Sequence, residues 1–545
     1  MSEKYINLNL IFKDLNFKSK MNPESDTGNV EYKLSILSKT PERLEELATQ
    51  MRYRLNQGNG ECFYIIGVKD NGNIEGITED EYLDTHLSLL EIAKKIDVVV
   101  NILSEKQVSK NKKIYEYLVR EKTHKYIEIK IGIAGGVDCG KSTLLSVLTK
   151  GERDDGRGSA RLAVFNHRHE IITGRTSSIA HHIMGFDENG TVINSNKTYC
   201  EDIVKKSAKI ISFYDLAGHE MYLKTTIYGL NSTKPDLCFI LVGSNMGINV
   251  MTKEHISLCN SLNIPTIIIV TKVDLCKERE NVLNETMNDI KELVKLTRKV
   301  FYEIKTREDA RLCAMNIHSN NIVPIFQISN VTGKSIDDLM YFLNLVSPRR
   351  RKNREDDPTE FFVDSIFNVP GIGLVVGGHL LCGKIKLGDV LKIGPTADSE
   401  YFPLTIRGIH SKRIIVDSIT CGTGGTYVCL NIKRLDKSVR IRRGMVILSN
   451  DKESVSCREF TAELYIIKSH STTIKKGYQP ILHMNNIRQA VEIVHIEDKE
   501  ILRAKDQSKV TLKFLFRPEY VSLNSRLMFC EGRVKGIGRV LSIVK

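Results

Sequence analysis

Gly135-Gly136-Val137-Asp138-Cys139-Gly140-Lys141-Ser142 stands between an alternating apolar run, 126–134, and an apolar-rich segment, 143–148. The pattern reads as strand, glycine loop, helix, and its spacing is G-x-x-x-x-G-K-S. Glycines let successive backbone N–H groups curl around an anion, and the helix that follows turns its positive end toward the same point. Lys141 is placed to reach the β- and γ-phosphates of a nucleoside triphosphate, and the Ser142 hydroxyl to take a Mg²⁺ coordination position. Gly135, Gly136, Val137, Asp138, Cys139, Gly140, Lys141, Ser142 and Thr143 are therefore the expected nucleotide-lining set. This loop alone does not separate ATPases, kinases and GTPases.

Three more strand ends downstream carry the distinction. The apolar run 210–214 ends in Asp215-Leu216-Ala217-Gly218-His219-Glu220. A carboxylate at the carboxyl end of a buried strand can hold Mg²⁺. Gly218 can bring its N–H up to a γ-phosphate because no side chain blocks the approach. His219 then stands beside an attacking water. A helix cap for Asp215 and a surface loop for His219 are the plain alternatives. A third run, 266–270, ends in Thr271-Lys272-Val273-Asp274, a variant of the guanine-reading N-K-x-D. Asp274 can accept from the guanine N1–H and exocyclic amine, donors that adenine lacks there, and a carboxylate left unpaired makes such discrimination steep. The Lys272 stem can lie along the base. Thr271 in place of Asn shortens one contact. A fourth run, 323–328, ends in Ser329-Asn330-Val331, comparable to the S-A-x loop whose backbone reads guanine O6. Ser335-Ile336-Asp337-Asp338 then has a capping-box-like pattern. Four strand ends in this order predict a P-loop G domain over 123–348.

Longer stretches narrow the class. The G-x-V-D-x-G-K-S loop, Asp215-Leu216-Ala217-Gly218-His219-Glu220 and Met251-Thr252-Lys253-Glu254-His255 resemble translational GTPases of the elongation factor Tu and eukaryotic elongation factor 1-alpha class. Gly156-Arg157-Gly158-Ser159-Ala160-Arg161, His167-Arg168-His169-Glu170-Ile171 and Gly174-Arg175-Thr176-Ser177-Ser178 are similar to the GTP-binding protein 1 family of that class. The resemblance implies Mg²⁺ held by Ser142, Asp215 and, in the GTP state, Thr176. It implies a His219 that orients water, a Val137 that fences this histidine, and an Asp138 able to hold a monovalent cation. Arg175 stands where the other side of the apolar gate is usually Ile. The implied reaction is GTP and water to GDP and phosphate, mainly by positioning and charge neutralisation. The implied partners are the ribosome and aminoacyl-tRNA or another RNA, with an exchange factor. A GTP-switched RNA-binding adaptor in RNA surveillance, working with exosome-type decay machinery, is the alternative.

Composition agrees with an anionic partner. The chain has 545 residues with 79 basic and 66 acidic, a net charge of +13, which favours RNA. No run of 18 apolar residues is present and Met1-Ser2-Glu3-Lys4-Tyr5 lacks a signal-peptide pattern, so no membrane span or export is expected. The twelve cysteines form no C-x-x-C pair and suit reduced thiols in a cytoplasmic monomer. His167, His169, His181 and His182 cluster without a cysteine at zinc spacing.

The expected fold class is multidomain. A small α/β N-terminal domain and its arm (1–122) precede the α/β G domain (123–348). A basic linker follows (349–360), with Arg349-Arg350-Arg351-Lys352-Asn353-Arg354 able to touch phosphate. After it the period changes to two, with recurrent glycines, which predicts two antiparallel β-barrels, 361–452 and 456–545.

Overall fold

The computed structural model describes residues 21, 23–24, 28–37, 40–58, 60–122, 126–165, 179–194, 200–219, 222–349, 354–412, 414–422, 425–434, 439–468, 474–531 and 534–544. Thr176, Arg175, His167, His169, residues 350–353 and most of the expected N-terminal arm lie outside them. Two compact units are formed, one from 1–127, 185–193 and 206–210, the other from 128–184, 194–205 and 211–545.

Among the described residues the first unit is a four-stranded sheet with two helices. Strands β1 (Val30–Lys33), β2 (Glu61–Ile66), β3 (Val98–Ser109) and β4 (Lys112–Glu121) lie in the order β1-β2-β4-β3. Helix α1 (Pro41–Gln57) starts where the Thr40 side chain accepts from the Arg43 N–H, with Pro at the first turn. Helix α2 (Glu79–Ile96) starts at a Thr78/Glu81 capping box. Leu47, Met51, Leu89 and Ile92 face the sheet and join Tyr64 and Tyr117 in the core. The buried Glu61 carboxylate meets both Arg120 Nε and Lys209 Nζ at 2.8 Å, so the start of the strand leading to Asp215 is keyed into this unit.

The nucleotide-type sheet uses β5 (Ile127–Gly135), β6 (Ala180–Phe186), β7 (Val192–Ile193), β8 (Lys209–Asp215), β9 (Leu237–Gly243), β10 (Thr266–Thr271), β11 (Val300–Glu303) and β12 (Ile322–Gln327) in the order β11-β12-β10-β9-β5-β8-β6-β7. The pairs β5–β9, β9–β10, β10–β12 and β11–β12 are parallel. Continuous apolar runs such as Leu237–Gly243 form such strands because both faces are covered. Parallel strands place their carboxyl ends on one edge, where ligands bind. Helices α3 (Lys141–Lys150), α4 (Cys200–Lys206), α5 (Leu223–Thr233), α6 (Val250–Ser261), α7 (Glu280–Leu296), α8 (Arg307–Asn316) and α9 (Ile336–Leu345) complete this domain.

Two local expectations are corrected. The polar stretch 278–322 after the guanine-reading loop, whose composition predicts a helical insertion, does carry helices α7 and α8 but also the edge strand β11, whose Val300-Phe301-Tyr302 run gains a parallel partner in β12. Ser335 does not build a capping box: it sits at φ 53° and its side chain makes no cap bond to α9, because the backbone reverses there in a left-handed turn.

The first barrel is a ring in which Val390–Gly394, Val446–Leu448, Glu360–Val369, Gly373–Cys382, Thr426–Arg434 and Phe402–Ser411 follow one another and the last pairs back with the first. The second is a closed six-stranded barrel running from Glu459–Lys468 to Val534–Val544, whose two end strands pair. No helix among the described residues is long and apolar enough to cross a membrane.

Within the second unit the first barrel is bound to the G domain by buried polar contacts. Tyr228 of α5 donates to Asp364 Oδ1 at 2.9 Å, and the other carboxylate oxygen lies 2.6 Å from His379 Nδ1. Lys130 donates to the Gly425 carbonyl. Glu128 pairs with Lys412 at 2.9 Å. The second barrel is tied to the first through Arg442–Glu519 and to the G domain through Arg526, which donates to the Leu262 carbonyl. A cavity of about 1090 Å³ lies among the three, bordered by Lys234, Arg349, Phe362, Tyr520 and Leu541. Arg349 and Arg354 of the linker are occupied by the Asn263 carbonyl and by Asp357, respectively.

Burial pushes the Glu128 carboxyl up, but Lys412, Lys130 and the Ser212 hydroxyl outweigh it and hold it at about 2. A folded pKa below the unfolded value of about 4.3 stabilises above that value and is lost as pH falls through the folded one. Glu128→Gln takes the carboxylate away from the buried Lys412 ammonium, a loss of about 3 kcal/mol. Its urea midpoint at pH 7 is expected well below wild type, with the gap narrowing as pH is taken from 5 toward 3. A midpoint within error of wild type at pH 7 would show a pair worth no more than a surface one.

Candidate nucleotide site

The site is built where β5 delivers its glycines to the carboxyl edge of the sheet. Asn249 caps α6, its Oδ1 accepting from the Thr252 N–H at 2.8 Å. A Cβ on Gly136 would stand 2.1 Å from Asn249 Nδ2, so a side chain here would displace the Asn249 amide that caps α6. Asp138 is exposed and holds φ 60°, and Gly140, at φ 84°, opens α3. Val137 and Thr143 are partly exposed around the loop. The Cys139 side chain points inward, with Sγ 3.0 Å from the Gly136 carbonyl; burial pushes its thiol up despite Lys141, which keeps it unreactive.

Lys141 is 8% exposed, and its ammonium donates to Gly136 O at 2.6 Å and Gly135 O at 3.3 Å. The cation is thus held against the loop's own carbonyls. Ser142 Oγ donates to Asp215 Oδ2 at 2.9 Å. The two residues expected to share a divalent cation come from separate elements, 73 positions apart, and already touch.

The loop after β8 lies against the same lysine. Thr226 Oγ1 donates to the Ala217 carbonyl at 2.8 Å and fixes the turn. A Cβ on Gly218 would lie 2.3 Å from Lys141 Nζ and 2.6 Å from Gly135 O. His219 follows, partly exposed, its ring edge-on to Tyr222 with centroids 6.2 Å apart. Thr176, the remaining metal-binding candidate, falls outside the described residues.

On the base side, Thr271 Oγ1 donates to the Cys139 carbonyl at 2.7 Å. Its hydroxyl therefore ties β10 to the phosphate loop. Lys272 sits at φ 59°, its carbonyl accepting from Ser244 Oγ at 2.8 Å, and Asp274 one turn on is partly exposed. Ser329 Oγ accepts from the N–H groups of Val331 and Thr332 at 3.3 and 3.1 Å. Asn330 is buried and its carbonyl accepts from the Asp154 N–H at 3.0 Å.

For two residues of the site the sequence signals a local role and not a place in the site. The Asp154 carboxylate accepts from the N–H groups of Gly156, Gly158 and Ala160 at 3.0–3.2 Å, shaping the Gly156-Arg157-Gly158 loop beside Asn330. An Asp preceding glycines signals such a turn, but not what it packs on. Asn249 has a legible cap pattern, but its place beneath Gly136 depends on the sheet. Of the histidine cluster, His181 stacks on Tyr214 with centroids 4.9 Å apart, and burial holds it down at about 3, as a neutral core side chain.

A cradle too tight for a Cβ at Gly136 and Gly218, a cation over it, and a hydroxyl–carboxylate pair beside it fit a nucleoside triphosphate with a divalent metal. The family model "Elongation factor Tu GTP binding domain" matches residues 127–349. GTP-binding protein 1 of Xenopus laevis is 39% identical over 533 residues, 96% of this chain and 80% of that protein. GTP-binding protein 2 of Mus musculus is 39% identical over 535 residues, 96% and 88% respectively. Among solved structures, elongation factor SelB from Methanococcus maripaludis in complex with the GTP analogue GppNHp has TM-score 0.54 at 19% identity, over 77% of this chain and 80% of that one. The S. cerevisiae Ski7 GTPase-like domain bound to GTP has TM-score 0.57 at 13% identity, over 76% and 98%. At such identities the structural likeness is one of fold.

Proposed function

This chain belongs to the translational GTPase family that includes GTP-binding proteins 1 and 2, and on that premise we propose that it is a GTP-hydrolysing switch acting on the ribosome, with aminoacyl-tRNA as its cargo, in the cytoplasm. The observation that carries the reading is the Ser142–Asp215 contact at 2.9 Å beside the Lys141-held loop, on a chain that continues into two barrels.

Each residue has a derivable task. Loop amides from Gly136 to Lys141 and the start of α3 bind the phosphates. Lys141 exchanges loop carbonyls for β- and γ-phosphate oxygens. Ser142, Asp215 and Thr176 would hold Mg²⁺, which supplies charge neutralisation at the phosphates when bound. Gly218 offers its N–H to the γ-phosphate, and its missing side chain is what allows this loop to reach Lys141. His219 orients the attacking water, with Val137 as the apolar wall beside it. Asp274 reads the guanine N1–H and amine, with Lys272 along the base and Ser329 and Val331 shaping the loop near O6. Loss of the γ-phosphate frees Thr176 and Gly218, and the two loops relax. Asp138, exposed at the loop's tip, is the residue that would face a monovalent cation. The net charge of +13 supports an RNA partner.

The test is GTP turnover with and without ribosomes, together with protection of the aminoacyl ester of charged tRNA when GTP is bound. Ribosome-stimulated turnover and ester protection are the expected results. RNA affinity that tracks the nucleotide without either would favour a GTP-switched adaptor in RNA surveillance or decay.

A further inference from the structure

We propose that Asn330 reads the N7 edge of guanine with its side-chain carboxamide, filling a donor role that threonine at position 271 leaves vacant. The inference rests on the guanine-nucleotide reading above and adds a base-binding residue to it.

Asparagine and threonine differ first in their protons. An asparagine at the head of N-K-x-D offers two amide hydrogens, so it can hold the phosphate loop and still donate to the base. Thr271 has a single hydroxyl proton. That proton is committed to the Cys139 carbonyl at 2.7 Å, with the Val242 carbonyl next nearest at 3.4 Å, and the residue is fully buried. Thr271 can therefore steady the loop, but it has no hydrogen left for a nucleotide.

Asn330 compensates from the neighbouring strand. The comparable loop form S-A-x carries only a methyl group at this position; this chain carries a carboxamide. The residue is 7% exposed, and its Oδ1 is buried with no hydrogen-bond partner among the described residues. Its Nδ2 lies 3.7 Å from the point where a Cβ on Gly140 would stand, the same distance as Thr271 Oγ1. The two side chains thus converge on one point of the phosphate loop from the turn after β12 and the end of β10. The Asn330 backbone is fixed there by the Asp154 N–H, and the adjoining turn by Ser329 Oγ.

Guanine suits this arrangement. Its N1–H and amine face Asp274, and its other edge presents two acceptors, N7 and O6. An amide N–H supplies N7 while backbone N–H groups of the 329–331 loop supply O6. Adenine would bring its N6 amino group against the backbone hydrogens that face O6, whereas N7 is an acceptor in both purines, so Asn330 adds affinity for the base and leaves the choice of guanine to Asp274 and the 329–331 backbone. No hydrogen bond among the described residues takes up the Asn330 Nδ2 hydrogens, so this donor is available to a ligand acceptor such as N7.

Equilibrium binding of GDP and 7-deaza-GDP, which has a C–H in place of N7, tests the assignment without any turnover. Wild type is expected to bind the deaza analogue about tenfold more weakly, as for one hydrogen bond. Asn330→Ala is expected to bind both nucleotides equally, and weaker than wild type binds GDP. Asn330→Asp, similar in shape but without the donor, is expected to lose the discrimination too. Thr271→Asn placed in the Asn330→Ala background is expected to restore it. A tenfold preference that persists in both Asn330 variants, or a wild type indifferent to N7, overturns the proposal and leaves the GTPase reading standing. A wild type with no affinity for GDP removes both.

Discussion

Asp274→Asn is expected to exchange the base preference of this protein from guanine to xanthine. In the proposed site the carboxylate, an acceptor twice over, would meet two donors on guanine, N1–H and the amine. An asparagine presents one acceptor and one donor, which matches xanthine, whose C2 substituent is a carbonyl oxygen. The position is well held: Lys272 is fixed at φ 59° with its carbonyl bonded to Ser244, and Thr271 anchors the strand end to the phosphate loop. GDP affinity should fall on the order of 10²–10³-fold, short of the 10⁴–10⁵ of a fully enclosed polar match, because Asp274 remains partly exposed. XDP affinity should rise correspondingly. Competition between GDP and XDP reads both, and a variant that still prefers GDP would detach Asp274 from the base.

His219→Ala is expected to bind GTP as wild type does and to lose about 100-fold in ribosome-stimulated turnover, the scale of a misplaced reactant. Binding should survive because the groups proposed to hold phosphate are the loop, Lys141 and the Ser142–Asp215 pair, whose own contacts do not use the imidazole. The ring is partly exposed and packs edge-on against Tyr222, so its removal leaves the core intact. Single-turnover hydrolysis with excess ribosomes, beside a nucleotide-binding titration, separates the two effects. Equal turnover in the variant would give the water-orienting task to another group.

Most strands of the two sheet types are legible in consecutive residues. The runs ending at Gly135, Asp215, Thr271 and Gln327 are short, apolar and bounded by glycine or polar turns, and each forms a strand of the nucleotide-type sheet. Period-two alternation after residue 360 corresponds to two barrels. Signals of this sort are local: burial on both faces, or on one, is written into neighbouring residues. Where the local signal is ambiguous it misleads. Val300–Glu303 is a strand because β12 is there to pair with it. Ser335 resembles a cap by composition, and its backbone turns left instead.

The identity of the loop, the order of the strand ends and the chemistry each would bring were determined by the sequence alone, because a phosphate loop needs glycine, lysine and hydroxyl at set spacings along one stretch of chain. Which of those groups touch was decided only by the tertiary structure. Asn249 under Gly136, Ser142 on Asp215, Thr271 on Cys139 and Asn330 beside Gly140 join residues between 73 and 190 positions apart. Such contacts depend on how strands are ordered in a sheet, and no run of neighbouring residues encodes that order. For the same physical reason, the residue type of Thr271 says that it has one proton to give, and only the packing of β10 against the phosphate loop says where that proton goes.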